Sequence, residues 1–442
     1  MLRIFSDLEE ARSGPLRRVP LELQEAPDRV KQRILETFGE ELTPWQVVER
    51  IVQDVRSRGD AAVLEYCQLL DGAESAGLQV EAGEIASARR EVEPDLLAAL
   101  ELSAERVRAF HSRIQLRSWM EFTEGGLGQR IRPLQRVGLY VPGGTAGYPS
   151  TLLMSAIPAR VAGVEEVIVT VSAPGGVVHP LTLVAADIAQ VDCLFKVGGA
   201  QAIAAMAFGT ETIPRVDKIC GPGNVFTQLA KKAVYGGVDI DGLYGPTELV
   251  IVADHTADPA LCAADLLAQA EHDEMASPIL VTDSVSLAEQ VKVEYESQAA
   301  ALERKAMVQG HERGGIVVVA GLQEAADVVN EYAPEHLSLQ LSDPWVFLDS
   351  VRSAGAVFLG KDSPEVLGDY VAGPSHVLPT GGTARFNSPL GVEDFLKVMS
   401  VVALDGETLT RIGPAAAAIA HAEGLEGHAR AVRMRLDGYR RD

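Results

Sequence analysis

The chain has 442 residues, which is more than one hydrophobic core usually serves, so two or more domains are expected. Its 39 Lys and Arg against 62 Asp and Glu give a formal net charge of −23, a field that repels nucleic acid and anionic membranes. The first residues lack the apolar core of a signal peptide, and none of the apolar runs approaches the roughly 20 residues that cross a bilayer. We therefore expect a cytoplasmic protein with a neutral or cationic small-molecule substrate and with neither nucleic acid nor membrane as a partner.

Residues 31–114 carry apolar side chains at helical spacing, which predicts a mainly helical segment. From residue 137 onward, short β-branched runs alternate with Ala- and Leu-rich segments of helical pattern. Continuous apolar strands separated by helices indicate parallel sheets that are covered on both faces. The runs are EVIVTV (166–171), CLFKVG (193–198), VDKIC (216–220), ELVIVAD (248–254), SPILVTD (277–283), GIVVVAG (315–321) and AVFLG (356–360).

These strands are too many for one small sheet, so we predict an α/β protein with two incomplete, Rossmann-like parallel-sheet domains. The strand signal is lost near residue 386, and we predict a small helical C-terminal segment there. The predicted division is an N-terminal arm (1–30), a discontinuous first α/β domain (31–134 and 248–385), a second α/β domain (135–247) and a helical C-terminal segment (386–442).

Three glycine-rich turns follow predicted strands: VPGGTAG (141–147), KVGGAQ (196–201) and CGPGN (220–224). Backbone amides in such turns can approach a phosphate group closely. The turns do not match the G-x-G-x-x-G fingerprint of dinucleotide-binding folds, so the usual sequence test for a nicotinamide cofactor fails. A nucleotide site and ordinary tight turns both remain open at this point.

Four histidines lie near carboxylates or an amide in separate segments of the chain. Gln269 and His272 are three residues apart, so on a helix they share a face and offer donor atoms that suit zinc. The Glu335-His336 pair follows a proline and precedes a strand, which places a proton-transfer pair on a loop at the amino end of that strand. Asp369 and His376 share a Gly- and Pro-rich loop, and Glu423 and His428 lie in the helical tail.

Each of these groups taken alone is also typical of a solvated surface. A site assembled from distant segments is, however, how a folded active site usually arises. Two interpretations remain: an enzyme with zinc or manganese bound by O and N ligands and a His/Glu proton pair, or a non-catalytic α/β module that binds a small ligand. Stoichiometric metal in the purified protein would distinguish them.

The same motifs resemble the histidinol dehydrogenase family over nearly the whole chain. The resemblance is carried by RVGLYVPGGTAGYPSTLLMSAIPARVAGV, VGGAQAIAAMAFGTETIPRVDKICGPGN, LLAQAEHDEMASPILVTDS, NEYAPEHLSLQ, GPSHVLPTGGTARFNSPLGVEDFLK and AEGLEGHARAVRMRL, in that order. It implies a zinc- and NAD-dependent enzyme that oxidises L-histidinol to L-histidine through L-histidinaldehyde in histidine biosynthesis. It also implies that residues 135–247 bind NAD and that residues 386–442 form the dimerisation segment of an intertwined homodimer. The active sites of that dimer would be shared between the two subunits, and Mn²⁺ could substitute for Zn²⁺.

The resemblance assigns roles to residues of this sequence. Glu335 and His336 match the acid–base pair: His336 would take the alcohol proton as hydride leaves, and Glu335 would activate the water that hydrates the aldehyde. The zinc ligands match Gln269, His272, Asp369 and His428, the last from the partner subunit. The substrate-binding positions match Thr247, Gln269, His272, His336, Asp369, His376, Glu423 and His428, and the NAD-contacting positions match Tyr140, Gln201 and Asn224.

Two features leave alternatives open. The family usually has Gly-Pro-Ser-Glu where this chain has Gly-Pro-Thr247-Glu, so a related zinc- and NAD-dependent dehydrogenase of another amino or sulfo alcohol is an alternative. Cys220 precedes a predicted cofactor loop and could act as a nucleophile on the aldehyde, as in aldehyde dehydrogenases. Its apolar strand, VDKIC, predicts instead a buried and inert thiol.

Overall fold

The computed structural model of the chain describes residues 2–18, 28–73, 77–123, 125–143, 147–272, 274–302 and 313–439. Two compact units emerge from its contacts. The first comprises Met1–Arg113 and Leu134–Phe395, and the second comprises Ile114–Pro133 and Leu396–Asp442. In the described residues there is no helix that is both long and apolar enough to span a membrane.

The strands are β1 (Ile4–Phe5), β2 (Trp119–Glu121), β3 (Gly126–Pro133), β4 (Arg136–Val141), β5 (Glu166–Val171), β6 (Cys193–Phe195), β7 (Lys218–Cys220), β8 (Asp239–Ile240), β9 (Glu248–Ala253), β10 (Ser277–Thr282), β11 (Gly315–Val318), β12 (His336–Gln340), β13 (Ala356–Leu359) and β14 (Leu396–Ala403). The helices are α1 (Leu8–Ser13), α2 (Asp28–Phe38), α3 (Pro44–Arg58), α4 (Asp60–Asp71), α5 (Ala82–Glu91), α6 (Pro94–His111), α7 (Pro149–Ala162), α8 (Pro180–Ile188), α9 (Gly199–Phe208), α10 (Val225–Val234), α11 (Pro259–Ala270), α12 (Val285–Ala299), α13 (Leu322–Tyr332), α14 (Pro344–Leu348), α15 (Glu365–Tyr370), α16 (Gly406–Ala422) and α17 (Glu426–Tyr439).

The first unit contains two parallel sheets. The five-stranded sheet has the order β6-β5-β4-β7-β8, and the six-stranded sheet has the order β1-β11-β10-β9-β12-β13. The central strand is β4 in the five-stranded sheet and β9 in the six-stranded sheet. From β4 the chain adds β5 and β6 on one side and then β7 and β8 on the other; from β9 it adds β10 and β11 on one side and then β12 and β13 on the other. All pairs in these sheets are parallel, as the continuous apolar runs predicted.

Helices cover both faces of these sheets, because strands such as β9 and β10 bury every side chain and need apolar partners above and below. Leu249 and Ile251 of β9 face one core cluster, whereas Val250 and Val252 face another. The same alternation occurs in the five-stranded sheet. Each sheet therefore has a hydrophobic core on each face, and polar side chains that could form a site lie in the loops at the ends of its strands.

The predicted assignment of residues 31–134 to the domain of 248–385 differs from the packing. Helix α3 packs against α9 and α10, which cover the five-stranded sheet formed by residues 136–240. Its buried residues Val48, Ile51 and Val55 join the core cluster of that sheet. Helical periodicity identified the apolar face of α3 but not which sheet it would meet.

The second unit corrects the prediction of a purely helical C-terminal segment. Residues Leu396–Ala403 form β14, which pairs antiparallel with β3, and β3 in turn pairs with β2. The sequence analysis missed β14 because most of its side chains are exposed, so it lacks the continuous apolar run of a buried strand. Helices α16 and α17 follow and pack against each other, as the helical pattern predicted.

Candidate active site

Glu335 and His336 lie at the amino end of β12, beside the amino end of β9. His336 is the first residue of β12 and is paired in register with Leu249 of β9. Pro334 lies between the cap of the preceding helix and Glu335, and both residues of the pair are buried, at 7% and 4% exposed. The predicted position at the amino end of a strand is therefore confirmed.

The backbone of Glu248 holds both members of this pair. The Glu335 carboxylate accepts hydrogen bonds from Glu248 N at 2.9 Å and from Thr247 Oγ1 at 2.8 Å. His336 Nδ1 lies 3.0 Å from the Glu248 carbonyl oxygen, and because a carbonyl only accepts, Nδ1 carries the proton. The neutral ring therefore has its lone pair on Nε2.

Thr247 links Gln269 to Glu335. Gln269 Nε2 donates to Thr247 Oγ1 at 2.8 Å, and the same hydroxyl donates onward to Glu335. The threonine hydroxyl thus retains the hydrogen-bonding capacity of the family's serine. Its methyl group is the only chemical difference between the two residues.

Glu365 is a residue of this site that the sequence analysis did not single out. It is the first residue of α15 and is 3% exposed, and its Oε2 lies 3.9 Å from His336 Nδ1. Asp369 lies one turn later on α15, with Oδ1 3.6 Å from His336 Nε2. The i, i+4 spacing of two carboxylates before the GPSH loop was the available signal.

Burial and mutual charge shift the pKa values of these groups strongly. Burial raises the pKa of Glu335 to about 7 and that of Glu365 to about 8. Burial alone would lower the pKa of His336, but Glu335, Asp369 and Glu365 outweigh it and raise the value to about 10. The nearby charge of His336, whose Nε2 lies 3.6 Å from Asp369 Oδ1, outweighs burial at Asp369 and lowers the pKa of that carboxyl. The three acidic groups around the ring therefore favour the protonated form of His336 in the chain alone.

Two buried polar atoms face this cluster without a hydrogen-bond partner among the described residues: His336 Nε2 and Glu365 Oε2. Unpaired buried polar atoms are costly, so they indicate a place where a polar ligand or cation would be bound. His272 lies close enough for its charge to lower the pKa of Asp369. Within the described part of the chain, however, His, Cys, Asp and Glu side chains do not form any group of three or more that could hold a metal ion.

The structure modifies the predicted helical arrangement of Gln269 and His272. Helix α11 ends at Ala270, so Gln269 is in its last turn and His272 lies in the turn beyond. His272 N still bonds the Gln269 carbonyl at 3.3 Å, so the two residues remain one turn apart. Gln269 is buried and His272 is exposed.

His376 joins the two sheet regions of the first unit. Its Nδ1 lies 2.9 Å from the Asp369 carbonyl oxygen, and its Nε2 lies 3.0 Å from Thr151 Oγ1 on α7. Nδ1 must donate to the carbonyl, so Nε2 accepts from the threonine. Burial lowers the pKa of His376, which keeps this ring neutral near pH 7.

The predicted cofactor residues lie at the carboxyl edge of the five-stranded sheet. The strand order reverses between β4 and β7, and ligands of open α/β sheets bind at such a switch point. Tyr140 is at the end of β4, with its hydroxyl 3.2 Å from Gly199 N, and Asn224 caps α10 directly after β7. Gln201 is 1% exposed, and its Oε1 has no hydrogen-bond partner among the described residues.

The CGPGN turn passes directly against β4. Gly221 has a φ of +121°, and a side chain there would place its Cβ 2.1 Å from the Tyr140 carbonyl oxygen, so only glycine fits. Residues 144–146 of the first glycine-rich turn lie outside the described residues. Cys220 is fully buried at the end of β7, and burial raises its pKa well above the usual thiol value.

Glu423 and His428 lie in the second unit. Glu423 follows the last residue of α16 and His428 is in the first turn of α17, and both side chains are exposed in the single chain. Their assignment to a site shared between subunits stays a prediction.

Comparisons with a family model, with related sequences and with a solved structure all point to the same protein family. The model of the histidinol dehydrogenase family matches residues 40–436. The histidinol dehydrogenase of Deinococcus radiodurans is 54% identical over 417 residues, covering 93% of this chain and 95% of its own, and that of Geobacter sulfurreducens is 50% identical over 398 residues, covering 88% and 93%. The crystal structure of histidinol dehydrogenase from Elizabethkingia anophelis is 33% identical with a TM-score of 0.90 over 99% of both chains. The chain thus belongs to the histidinol dehydrogenase family of oxidoreductases.

Proposed function

We propose that this protein catalyses the NAD- and zinc-dependent oxidation of L-histidinol to L-histidine through L-histidinaldehyde. The observation that carries the proposal is the buried cluster at the amino ends of β9 and β12. There Glu335 and His336 both bond the backbone of Glu248, and His336 lies 3.6 Å from Asp369. When bound, NAD supplies a two-electron acceptor and zinc supplies a Lewis acid that anchors nitrogen and oxygen atoms.

His336 is the proposed base for the alcohol. Its Nδ1 is held by the Glu248 carbonyl, so Nε2 is the atom that accepts the hydroxyl proton. The substrate's ammonium group brings positive charge beside the carboxylates that raise the pKa of His336. That charge opposes the imidazolium and lowers its pKa, which favours the neutral base form.

Glu335 is the proposed base for hydration of the aldehyde. Its pKa of about 7 means that a large fraction is carboxylate at neutral pH, while its conjugate acid is still weak enough for efficient proton transfer. The hydrogen bonds from Thr247 and Glu248 fix the carboxylate beside His336, so one residue can activate the water while the other accepts a proton.

Gln269, His272 and Asp369 would hold the zinc ion together with His428 of a second copy of the chain. The donor set of one carboxylate, two imidazoles and one amide suits zinc or manganese. Gln269 uses its amide nitrogen on Thr247, so its oxygen is the atom offered to a metal. The unpaired Glu365 Oε2 is a buried acceptor that supports a bound cationic group at this place.

Tyr140, Gln201 and Asn224 would contact NAD. They lie at the switch point of the five-stranded sheet, where glycine turns let the backbone come close to a ligand. The unpaired amide oxygen of Gln201 offers a buried acceptor there.

A homodimer with shared sites is supported by the surface of the second unit. Large apolar side chains are exposed on both its sheet and its helices, and a surface of this kind usually marks a protein interface. They are Trp119, Met120, Phe122, Leu127, Val398, Met399, Val402, Ile412, Ile419, Leu425 and Met434. Glu423 and His428, on the same unit, would then reach the site of the second copy.

The test is NADH formation by the zinc-loaded protein with L-histidinol and, in parallel, with other amino and sulfo alcohols. About two NADH per histidinol are expected, because the alcohol and the aldehyde are oxidised in turn. Preference for another alcohol would favour the related-dehydrogenase alternative, for which the methyl group of Thr247 is the specific reason. Binding without NADH formation from any of these alcohols would favour the non-catalytic module.

A further inference from the structure

Arg18 lies in the N-terminal arm, 230 residues from Glu248, yet its guanidinium binds the Glu248 side chain through two nitrogens. The Nη2–Oε2 distance is 2.9 Å, and the Glu248 carboxylate also accepts from Gly381 N at 3.1 Å. Glu248 is 4% exposed, so its carboxylate is largely removed from water, while the Arg18 side chain is partly exposed. A buried carboxylate of this kind depends on its partner for compensation of its charge.

The same guanidinium also holds the segment that precedes the acid–base pair. Arg18 Nε donates to the Tyr332 carbonyl at 3.1 Å, Nη2 donates to the Ala333 carbonyl at 3.3 Å, and the guanidinium stacks 3.5 Å from the centre of the Tyr332 ring. Ala333 ends α13 in the left-handed conformation, with φ of +50°, and only Pro334 separates it from Glu335. Arg18 therefore occupies the carbonyls at the end of a helix, which have few partners of their own.

These contacts meet on the two chain segments that set the geometry of the pair. One is the backbone of Glu248, whose N–H donates to Glu335 and whose carbonyl accepts from His336. The other is the turn from Tyr332 to Pro334, which directly precedes Glu335 and His336. We propose that Arg18 is a positioning residue of the active site, whose planar guanidinium ties the first residue of β9 to the turn before β12 and so fixes Glu335 and His336. The inference rests on the acid–base roles proposed above.

Only an arginine can make this set of bonds. The guanidinium presents five donors in a rigid plane, whereas a lysine ammonium keeps the charge but has three donors at a single atom and cannot reproduce the two-nitrogen contact with the carboxylate. Arg18→Lys therefore separates geometry from charge compensation. Arg18→Met removes both and leaves Glu248 without its partner.

The matched control is Arg12 on the same arm. Arg12 Nη2 bonds Glu331 on α13 at 2.8 Å, but both side chains are well exposed and the contact does not involve Glu248. Arg12→Lys tests whether any weakening of the arm's attachment to α13 affects catalysis. We expect it to leave kcat within roughly twofold of the unsubstituted protein, because exposed pairs contribute little.

The experiment measures kcat and KM for histidinol per folded, zinc-loaded site, well below the unfolding temperature of each variant, and determines the crystal structure of Arg18→Lys. We expect Arg18→Lys to keep KM and to lose roughly tenfold or more in kcat, since displacement of reacting groups by about 1 Å can cost 100-fold. The bonds from Glu248 N to Glu335 and from His336 to the Glu248 carbonyl should lengthen beyond 2.9 and 3.0 Å. Arg18→Met should lose more.

A purely structural role would lower the unfolding temperature of Arg18→Lys but leave kcat per folded site unchanged, and that result overturns the inference. Loss of kcat with both bonds intact also overturns it. If the unsubstituted protein did not oxidise histidinol, the proposed function would fail. The two distances in Arg18→Lys would still decide the positioning role: retained bonds refute it and lengthened bonds support it.

Discussion

Replacing Thr247 by valine keeps the branched shape of the side chain but removes the hydroxyl that joins Gln269 to Glu335. The Glu335 carboxylate then keeps the Glu248 N–H and loses the Thr247 donor, which lies 2.8 Å away. That hydrogen bond lowers the pKa of Glu335 against the effect of burial. Its removal therefore raises the pKa and moves the carboxylate form to higher pH.

The size of the effect follows from the charge on the acceptor. A hydrogen bond to a charged group contributes about 1.5–3 kcal/mol, and 1.36 kcal/mol corresponds to a tenfold change in the protonation equilibrium. With a pKa of about 7, Glu335 is roughly half ionised at neutral pH. Without the Thr247 bond the ionised fraction falls to about 0.6–7%, so aldehyde oxidation at pH 7 should slow roughly 7- to 80-fold.

The assay is the pH dependence of NADH formation from L-histidinaldehyde, compared with L-histidinol. In Thr247→Val the rising limb of the aldehyde profile should move to higher pH, because a carboxylate base acts only when it is ionised. Thr247→Ser is the matched control: it keeps the oxygen and should keep the profile. An unmoved limb in the valine variant, or an equal displacement in the serine variant, would refute this account of Glu335.

Three further outcomes follow from the proposed site. A strong chelator should abolish NADH formation and added zinc or manganese should restore it; activity that survives complete removal of metal would contradict the assignment of Gln269, His272 and Asp369. Mixing inactive His336→Ala with inactive His428→Ala chains should recover part of the activity through hybrid dimers with one intact site, and no recovery after verified subunit exchange would indicate self-contained chains. Cys220→Ala should keep both oxidation steps because the thiol is buried and its pKa is raised, whereas selective loss of aldehyde oxidation would identify it as the nucleophile.

The parallel sheets and the amino-end position of Glu335 and His336 were predictable from local pattern. Buried parallel strands are marked by uninterrupted apolar residues, and a proline before Glu-His marks the start of a strand. The same reasoning missed β14, because most of its side chains are exposed and it lacks the continuous apolar run of a buried strand. It also assigned α3 to the wrong sheet, because the apolar face of an amphipathic helix shows that the helix packs against a core but not against which sheet.

Residue type and spacing singled out Gln269, Asp369, His376, Glu423 and His428, and the motif resemblance then assigned their roles. The structure brings Asp369 to 3.6 Å from His336 Nε2 and shows that both nitrogens of His376 bond within the chain. Glu365 was missed because a single glutamate four residues before Asp369 is typical of an exposed helix face. Only burial at 3% distinguishes it.

The amino-acid sequence by itself determined the α/β class, the family and most residues of the candidate site, because periodicity and residue type are local properties that survive without a fold. The tertiary structure alone decided the electrostatics: three carboxylates surround His336, and their combined charge raises its pKa to about 10 against the effect of burial. It alone also decided the contact of Arg18 with Glu248, since no local pattern relates two residues 230 positions apart. Such long-range pairs exist only in the folded chain, and they set the geometry and charge on which the proposed chemistry depends.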